Sequence, residues 1–200
     1  MVRLFKLLLC ALTLSVGSNS VSSQDLSIEQ VIVALQEGGY IIFMRHAIAP
    51  EELPTKATAD EGNDRLERQL NAQGKRDAAN FGESIRRLNI PLSSIESSPT
   101  FRTRETARLA GFTNVILREF LLQETSEMPE AIVSRLRSEL NIRPESGNRL
   151  FVSHSGNIMA IFPDLFPYIE QGEALIVDSS GADIALLASC LLYTSDAADE

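Results

Sequence analysis

Tyr40-Ile41-Ile42-Phe43-Met44 is an unbroken apolar run that follows directly on Gly38-Gly39. Such a run has no polar face to offer water, so it suits a strand buried on both sides in a parallel sheet. Leu150-Phe151-Val152 repeats the pattern. Between these runs, apolar residues fall at helical spacing. Asn71 can cap a helix reaching Leu88, with Ala78, Phe81, Ile85 and Leu88 on one face. Arg86 and Arg87 suit its last turn, and Pro91 stops it. A short strand at Ser94–Ser97 leads to a helix over Thr100–Ala110, and Val115–Leu117 is another β-like run. Ile132, Val133, Leu136 and Leu140 mark a third helix, and Asn157–Phe162 a short one. Ala174–Val177 and Ile184–Ala188 read as two strands joined by the turn Ser179-Ser180-Gly181. This alternation predicts an α/β domain with a mainly parallel central sheet. Ala47–Glu67 has neither period. With Pro50, Pro54 and many acids it reads as a long loop, and loops of that length often serve as lids.

The two ends read differently. Residues 1–23 have the pattern of a secretory signal: basic Arg3 and Lys6, an apolar run from Leu7 to Val16, then small polar residues suited to cleavage. That run is too short to cross a bilayer as a helix, so no membrane span is expected. The expected location is periplasmic or secreted. Residues 190–200, Cys190 to Glu200, follow abruptly on a β-like run and resemble the translation of a sequencing-library adapter. On that reading the domain covers Gln24–Ser189, its natural C-terminus lies beyond Ser189, and it contains no cysteine. Thiol catalysis and disulfides are then excluded.

Charge narrows the function further. Across 200 residues, 18 basic and 27 acidic side chains give a net charge of −9. A nucleic-acid binder needs a basic face, so no nucleic-acid partner is expected. The histidines are not spaced for zinc, and no Gly-rich phosphate loop is present. The oligomeric state is not readable from the residues.

In open α/β sheets, ligands bind beyond the carboxyl ends of the strands. The first strand ends in Arg45-His46, the second leads into Ser98-Pro99-Thr100-Phe101-Arg102, and the Leu150 strand ends in Ser153-His154. The chain has 2 histidines, and both stand at strand ends.

Arg45-His46-Ala47, Ser97-Ser98-Pro99-x-x-Arg102-x-x-x-Thr106-Ala107 and Ser153-His154, in that order, resemble the histidine phosphatase superfamily. Leu70-Asn71-x-x-Gly74 resembles the start of that family's first helix, and Gly172-Glu173-Ala174 the segment after its second histidine. The resemblance spans about Gly39 to Ser189 and implies a phosphoglycerate mutase-like three-layer α/β/α sandwich. Ala47 stands where the family more often has glycine, which restricts the backbone after His46.

The resemblance implies that His46 is a nucleophile that becomes phosphohistidine, and that Arg45, Arg102 and His154 form the phosphate pocket. The chemistry suits these residue types. A neutral imidazole is an available nucleophile near neutral pH, and guanidinium groups hold phosphoryl oxygens in bidentate fashion. Backbone amides of Ser155-Gly156-Asn157, opening a helix, are further candidate donors. A leaving alkoxide needs a general acid. The family places a glutamate in a Leu-x-Glu context, which Leu122-Gln123-Glu124 matches; Glu119 is the alternative. Arg104 and Arg108 read as a solvated helix face, and Ser98 as a turn residue.

The expected function is metal-independent hydrolysis of phosphate monoesters, with no cofactor and a small phosphorylated substrate. Some exported relatives dephosphorylate sugars of the outer envelope, so a phosphorylated envelope sugar is admitted by analogy. Two alternatives stand beside it: a non-catalytic phosphate-binding or sensing domain on the same fold, and a mutase, whose usual glycolytic role is cytosolic. A secreted binding protein with no phosphate role would lack converging arginines.

Overall fold

Alternate residues of the first strand point into two different cores. In β1 (Tyr40–Arg45), Ile42 and Met44 pack on one side of the sheet, while Ile41 and Phe43 pack on the other. Both faces are covered by helices, which is why this strand has no polar alternation. The computed structural model describes residues 27–123, 128–165, 169–181 and 183–190. The signal-like segment, Glu124 and residues 191–200 lie outside the described residues.

The elements run α1 (Ile28–Glu37), β1, α2 (Ala72–Arg87), β2 (Leu92–Ser97), α3 (Phe101–Leu109) and β3 (Ile116–Leu117). A 3-10 turn at Glu119–Leu121 precedes α4 (Glu130–Leu140), β4 (Asn148–Ser153), α5 (Ser155–Ile161), β5 (Ala174–Asp178) and β6 (Ala185–Cys190). The strands form one 6-stranded sheet in the order β3-β2-β4-β1-β5-β6. β1, β2, β3 and β4 are mutually parallel, and β5 runs antiparallel to both of its neighbours. The expected mainly parallel sheet is present, and the last two strands form the expected hairpin.

One layer consists of α1, α2 and α3, whose Val31, Leu35, Phe81, Ile85 and Ala107 pack on Ile42, Met44, Leu150 and Val152. The other holds the 3-10 turn, α4 and α5, which place Leu121, Leu136, Leu140 and Ile158 against Ile41, Phe43, Phe151 and Leu175. This is the three-layer sandwich. Each fully buried large side chain contributes roughly 1.5–3 kcal/mol. Buried Glu96 on β2 is compensated by Arg118 at 2.6 Å and Arg149 at 2.9 Å, as a buried carboxylate requires.

Helix α1 was not anticipated. Its start carries a legible signal: Ser27 and Gln30 form a capping box, and Val31 and Leu35 face the core. The Asn71 cap is as expected, with its side chain accepting from the Gly74 amide at 2.8 Å. Gly74 is required by proximity, because a Cβ there would lie 2.2 Å from the Ile48 carbonyl oxygen. Helix α2 is thereby seated directly on the chain leaving His46.

Residues 47–71 contain no helix or strand, as expected of the long loop. The loop is pinned at several points. Lys75 reaches Asp60 at 2.6 Å, the Asn63 side chain holds Glu67 through both its backbone N–H and its carbonyl, and the Glu67 carboxylate accepts the Phe101 amide at 2.8 Å. These bonds make it a frame for the neighbouring helices.

Candidate active site

Strand register places the candidate residues side by side. Arg45 is level with Ser153, and Ser97 with Val152. In the order β2-β4-β1, the chain leaving β4 at His154 therefore stands between Ser98 and His46. The first turn of α3 then brings Arg102 over both imidazoles.

Arg102 is the centre of the cluster. Its Nε donates to His46 Nε2 at 3.2 Å, and its Nη2 lies 3.1 Å from His154 Nδ1. A guanidinium only donates, so both contacted ring nitrogens are unprotonated acceptors. The protons must sit on the other nitrogens. His46 Nδ1 donates to the Ala47 carbonyl at 2.8 Å, and His154 Nε2 donates to the Ser98 hydroxyl at 2.9 Å. The rings stand 5.4 Å apart at 66°. Four contacts thus assign both tautomers, and each ring is neutral.

Electrostatics agree with the geometry. His46 and His154 are 3% and 2% exposed. Burial, assisted by the Arg102, Arg45 and Arg68 charges and opposed by the bond to Ala47, pulls His46 down to about 3. Burial, then the Arg102 charge, takes His154 to about 2. Burial and the Arg68 charge lower Arg102 to about 10, which leaves it protonated at neutral pH.

Arg45 donates from Nη1 to the Ile169 carbonyl at 2.7 Å, and its buried Nε has no partner. A buried donor without a partner costs about 1–3 kcal/mol, and an anion that accepts from it recovers that loss. Arg45, His46, Arg102 and His154, the residues expected to converge, do so. Among the described residues, no group of three or more His, Cys, Asp or Glu side chains is arranged to hold a metal ion.

The backbone around His46 is tied on three sides. Its amide donates to Ser153 O at 2.9 Å, and its carbonyl accepts from Gly172 at 3.0 Å. The next amide, Ala47, donates to Thr106 Oγ1 at 3.1 Å, and Thr106 in turn donates to Arg102 O at 2.8 Å. The Thr106-Ala107 and Gly172-Glu173 motifs therefore act on the backbone at His46.

Two expectations need correction. The Gly156 amide is not a spare donor, because Gln123 Oε1 accepts from it at 2.9 Å. Ser98 is more than a turn residue, because it is fully buried and its hydroxyl accepts a hydrogen bond from His154 Nε2. Glu119 is exposed on the 3-10 turn, and Glu124 lies outside the described residues. Arg104 and Arg108 are exposed as expected. A groove of about 760 Å³ borders the Phe101-Arg104-Glu105-Arg108 face of α3 and is lined by neither histidine.

Sequence reasoning missed Arg68. Its Nε donates to Pro50 O at 2.8 Å and its Nη2 to Ala49 O. Its charge acts on His46, His154, Arg45 and Arg102. Its place beside the Leu70-Asn71 cap was the available signal.

No family model and no curated protein matches the sequence. Solved structures do match the fold. The product of an open reading frame of Mycobacterium tuberculosis aligns at TM-score 0.54 and 18% identity, over 74% of this chain and 95% of that one. A protein histidine phosphatase, SixA, in complex with tungstate, aligns at TM-score 0.53 and 14% identity, over 75% and 95% of the two chains. A phosphoglycerate mutase from Bacillus anthracis aligns at TM-score 0.52 and 14% identity, over 76% and 94%. The chain therefore shares the fold of these solved structures, the phosphoglycerate mutase-like architecture implied by its motifs.

Proposed function

We propose that this chain is an exported, metal-independent phosphatase that hydrolyses small phosphate monoesters through a phosphohistidine on His46. The observation that carries the reading is the unprotonated Nε2 of His46, 3.2 Å from the Arg102 Nε donor, on a residue that directly follows Arg45, whose buried Nε has no partner. An arriving phosphoryl group takes over the Arg102 bond to the imidazole and accepts from Arg45. Protein histidine phosphatase and phosphoglycerate mutase among the solved structures of this fold are consistent with phosphoryl chemistry at such a site.

In the first step the His46 Nε2 lone pair forms a bond to phosphorus, and the bond from phosphorus to the ester oxygen breaks. Arg45 and Arg102 stabilise charge on the non-bridging oxygens. As Nε2 is phosphorylated the ring gains positive charge, and the Ala47 carbonyl, holding Nδ1–H at 2.8 Å, stabilises it. Glu124 gives the leaving oxygen its proton. Its preceding residue, Gln123, is bonded to Gly156 two positions after His154. In the second step water attacks phosphorus, the P–N bond breaks, and Glu124 accepts the water proton. Export rests on the signal-like residues 1–23, and a phosphorylated envelope sugar fits both an exported site and this chemistry.

The test is p-nitrophenyl phosphate hydrolysis by the full chain in EDTA, beside His46→Ala. The expected outcome is release of free phosphate that vanishes in the variant. A folded wild type that binds phosphate without turning over any ester would instead be a binding domain, and a chelator-sensitive rate would overturn the mechanism.

A further inference from the structure

Helix α3 carries Arg102 on its first turn, yet it does not cap itself. Its N-cap residue, Thr100, makes no side-chain cap bond. The Thr100 hydroxyl is bonded to the Thr103 hydroxyl at 2.9 Å instead. The first amides of a helix have no partner within it. The Phe101 amide finds one in Glu67 Oε2, at 2.8 Å and 34 positions earlier in the chain. A carboxylate at that place gains a charge-assisted bond and meets the positive end of the helix dipole. Arg102 is the next residue.

Glu67 is held in place for this contact. Buried Asn63 grips its backbone twice: Asn63 Nδ2 donates to the Glu67 carbonyl at 2.8 Å, and the Glu67 amide donates to Asn63 Oδ1 at 2.9 Å. Gln69 Oε1 accepts in turn from Asn63 Nδ2 at 3.2 Å and from the Asp60 amide at 2.9 Å. Leu66, just before Glu67, has a φ of 54°. A residue with a side chain is strained in that left-handed region and stays there only where its surroundings enforce it. The strained turn delivers one carboxylate to the start of the arginine helix.

Arg102 needs such precision. Its Nε and Nη2 meet two different rings, His46 at 3.2 Å and His154 at 3.1 Å. Both distances lie at the long end of the hydrogen-bond range, so a shift of α3 by roughly half an ångström breaks one of them.

We infer that Glu67 is a positioning residue for the reaction: its carboxylate fixes the first turn of α3 and so sets the Arg102 guanidinium against both imidazoles and the incoming phosphoryl oxygens. The inference rests on the phosphate-pocket reading above and adds to it the residue that aims its arginine. Glu67 acts through Arg102 and not on the substrate.

Three variants of the full chain separate this role from stability alone. Glu67→Ala removes the cap. Glu67→Gln keeps an acceptor oxygen without the charge. Ser27→Ala removes the cap of α1, a helix that gives no residue to the site. The nitrogen chemical shifts of the imidazoles, read by NMR without substrate, report the Arg102 contacts directly. His46 Nε2 and His154 Nδ1 should both move in Glu67→Ala, and both should stay near wild type in Glu67→Gln and Ser27→Ala. The kcat/KM for p-nitrophenyl phosphate should fall about tenfold to hundredfold in Glu67→Ala, the cost of a misplaced binding group. Glu67→Gln should recover most of that loss, and Ser27→Ala should show none. If Glu67→Ala does not fold, Glu67→Asp, one methylene shorter, must move the same two signals. Unmoved signals in a folded Glu67→Ala or Glu67→Asp protein overturn the inference. So does an equal loss in Ser27→Ala, because lowered stability then suffices. A failure of the phosphatase reading shows separately, as an absent wild-type rate, and the imidazole signals still decide whether Glu67 sets Arg102.

Discussion

His154 donates its Nε2 proton to the Ser98 hydroxyl at 2.9 Å, and both side chains are buried. This bond leaves Nδ1 unprotonated, and Nδ1 is the atom that Arg102 Nη2 approaches. Ser98 thus determines which face of the ring the arginine meets. Ser98→Ala leaves a buried N–H without an acceptor, a loss of about 1–3 kcal/mol. The expected result is a fall in kcat/KM for p-nitrophenyl phosphate of about tenfold or more, with partial rescue by Ser98→Thr. Unchanged kinetics in a folded Ser98→Ala protein would remove this role.

Thr106 serves the chain at His46 in a similar way. It accepts from the Ala47 amide and donates to Arg102 O. Thr106→Val keeps the shape and removes the acceptor. Urea unfolding should show a loss of about 1–3 kcal/mol, the cost of an unsatisfied buried amide. Rates should fall with it, because Ala47 O holds the His46 ring.

Acid should destabilise this protein through its two imidazoles. Their folded values, about 3 for His46 and about 2 for His154, lie below the ordinary value near 6.5. Below that ordinary value the unfolded chain takes up protons that the folded one refuses, so stability falls as pH drops and is unaffected by these groups at higher pH. The slope approaches ~1.4 kcal/mol per pH unit for each imidazole. Urea midpoints measured from pH 7 to pH 5 should fall less steeply in His46→Asn. Parallel profiles would mean that His46 is not held neutral by the fold.

Gly74 sits where α2 touches the chain leaving His46. Gly74→Ala puts a methyl group 2.2 Å from the Ile48 oxygen, and the backbone must part to admit it. Overpacking of this kind costs about 1–3 kcal/mol, occasionally more. Denaturant unfolding should register that loss, and activity should fall because the shifted segment begins two residues after His46.

The general acid separates by leaving group. Glu124→Gln should lower hydrolysis of an alkyl ester such as glycerol phosphate by about 10²–10³. The same change should affect p-nitrophenyl phosphate far less, because its leaving group departs without a proton. Glu119→Gln, at an exposed position, should change neither. The reverse pattern would transfer the role to Glu119.

Much of this arrangement is written locally. The apolar run of β1 has no polar face, so it must be a central strand. Asn71 caps α2 with its own side chain, a contact three residues long. The two histidines follow strands directly, and an α/β sheet gathers its strand ends. Helix α1 escaped notice because its periodic stretch is short, although its capping box was present.

Local pattern is silent about partners that are distant in the chain. His46 and Arg102 are 56 positions apart, as are Ser98 and His154. No periodicity states which ring nitrogen carries a proton, because that depends on donors delivered by another strand. Nothing local to Arg68 states that its guanidinium reaches the Ala49 and Pro50 carbonyls, 19 and 18 positions back in the chain. The sequence alone determined the layers, the strand ends and the residue types at them. The tertiary structure decided the tautomers and the two lowered imidazoles, because hydrogen bonds and burial are properties of neighbours in space.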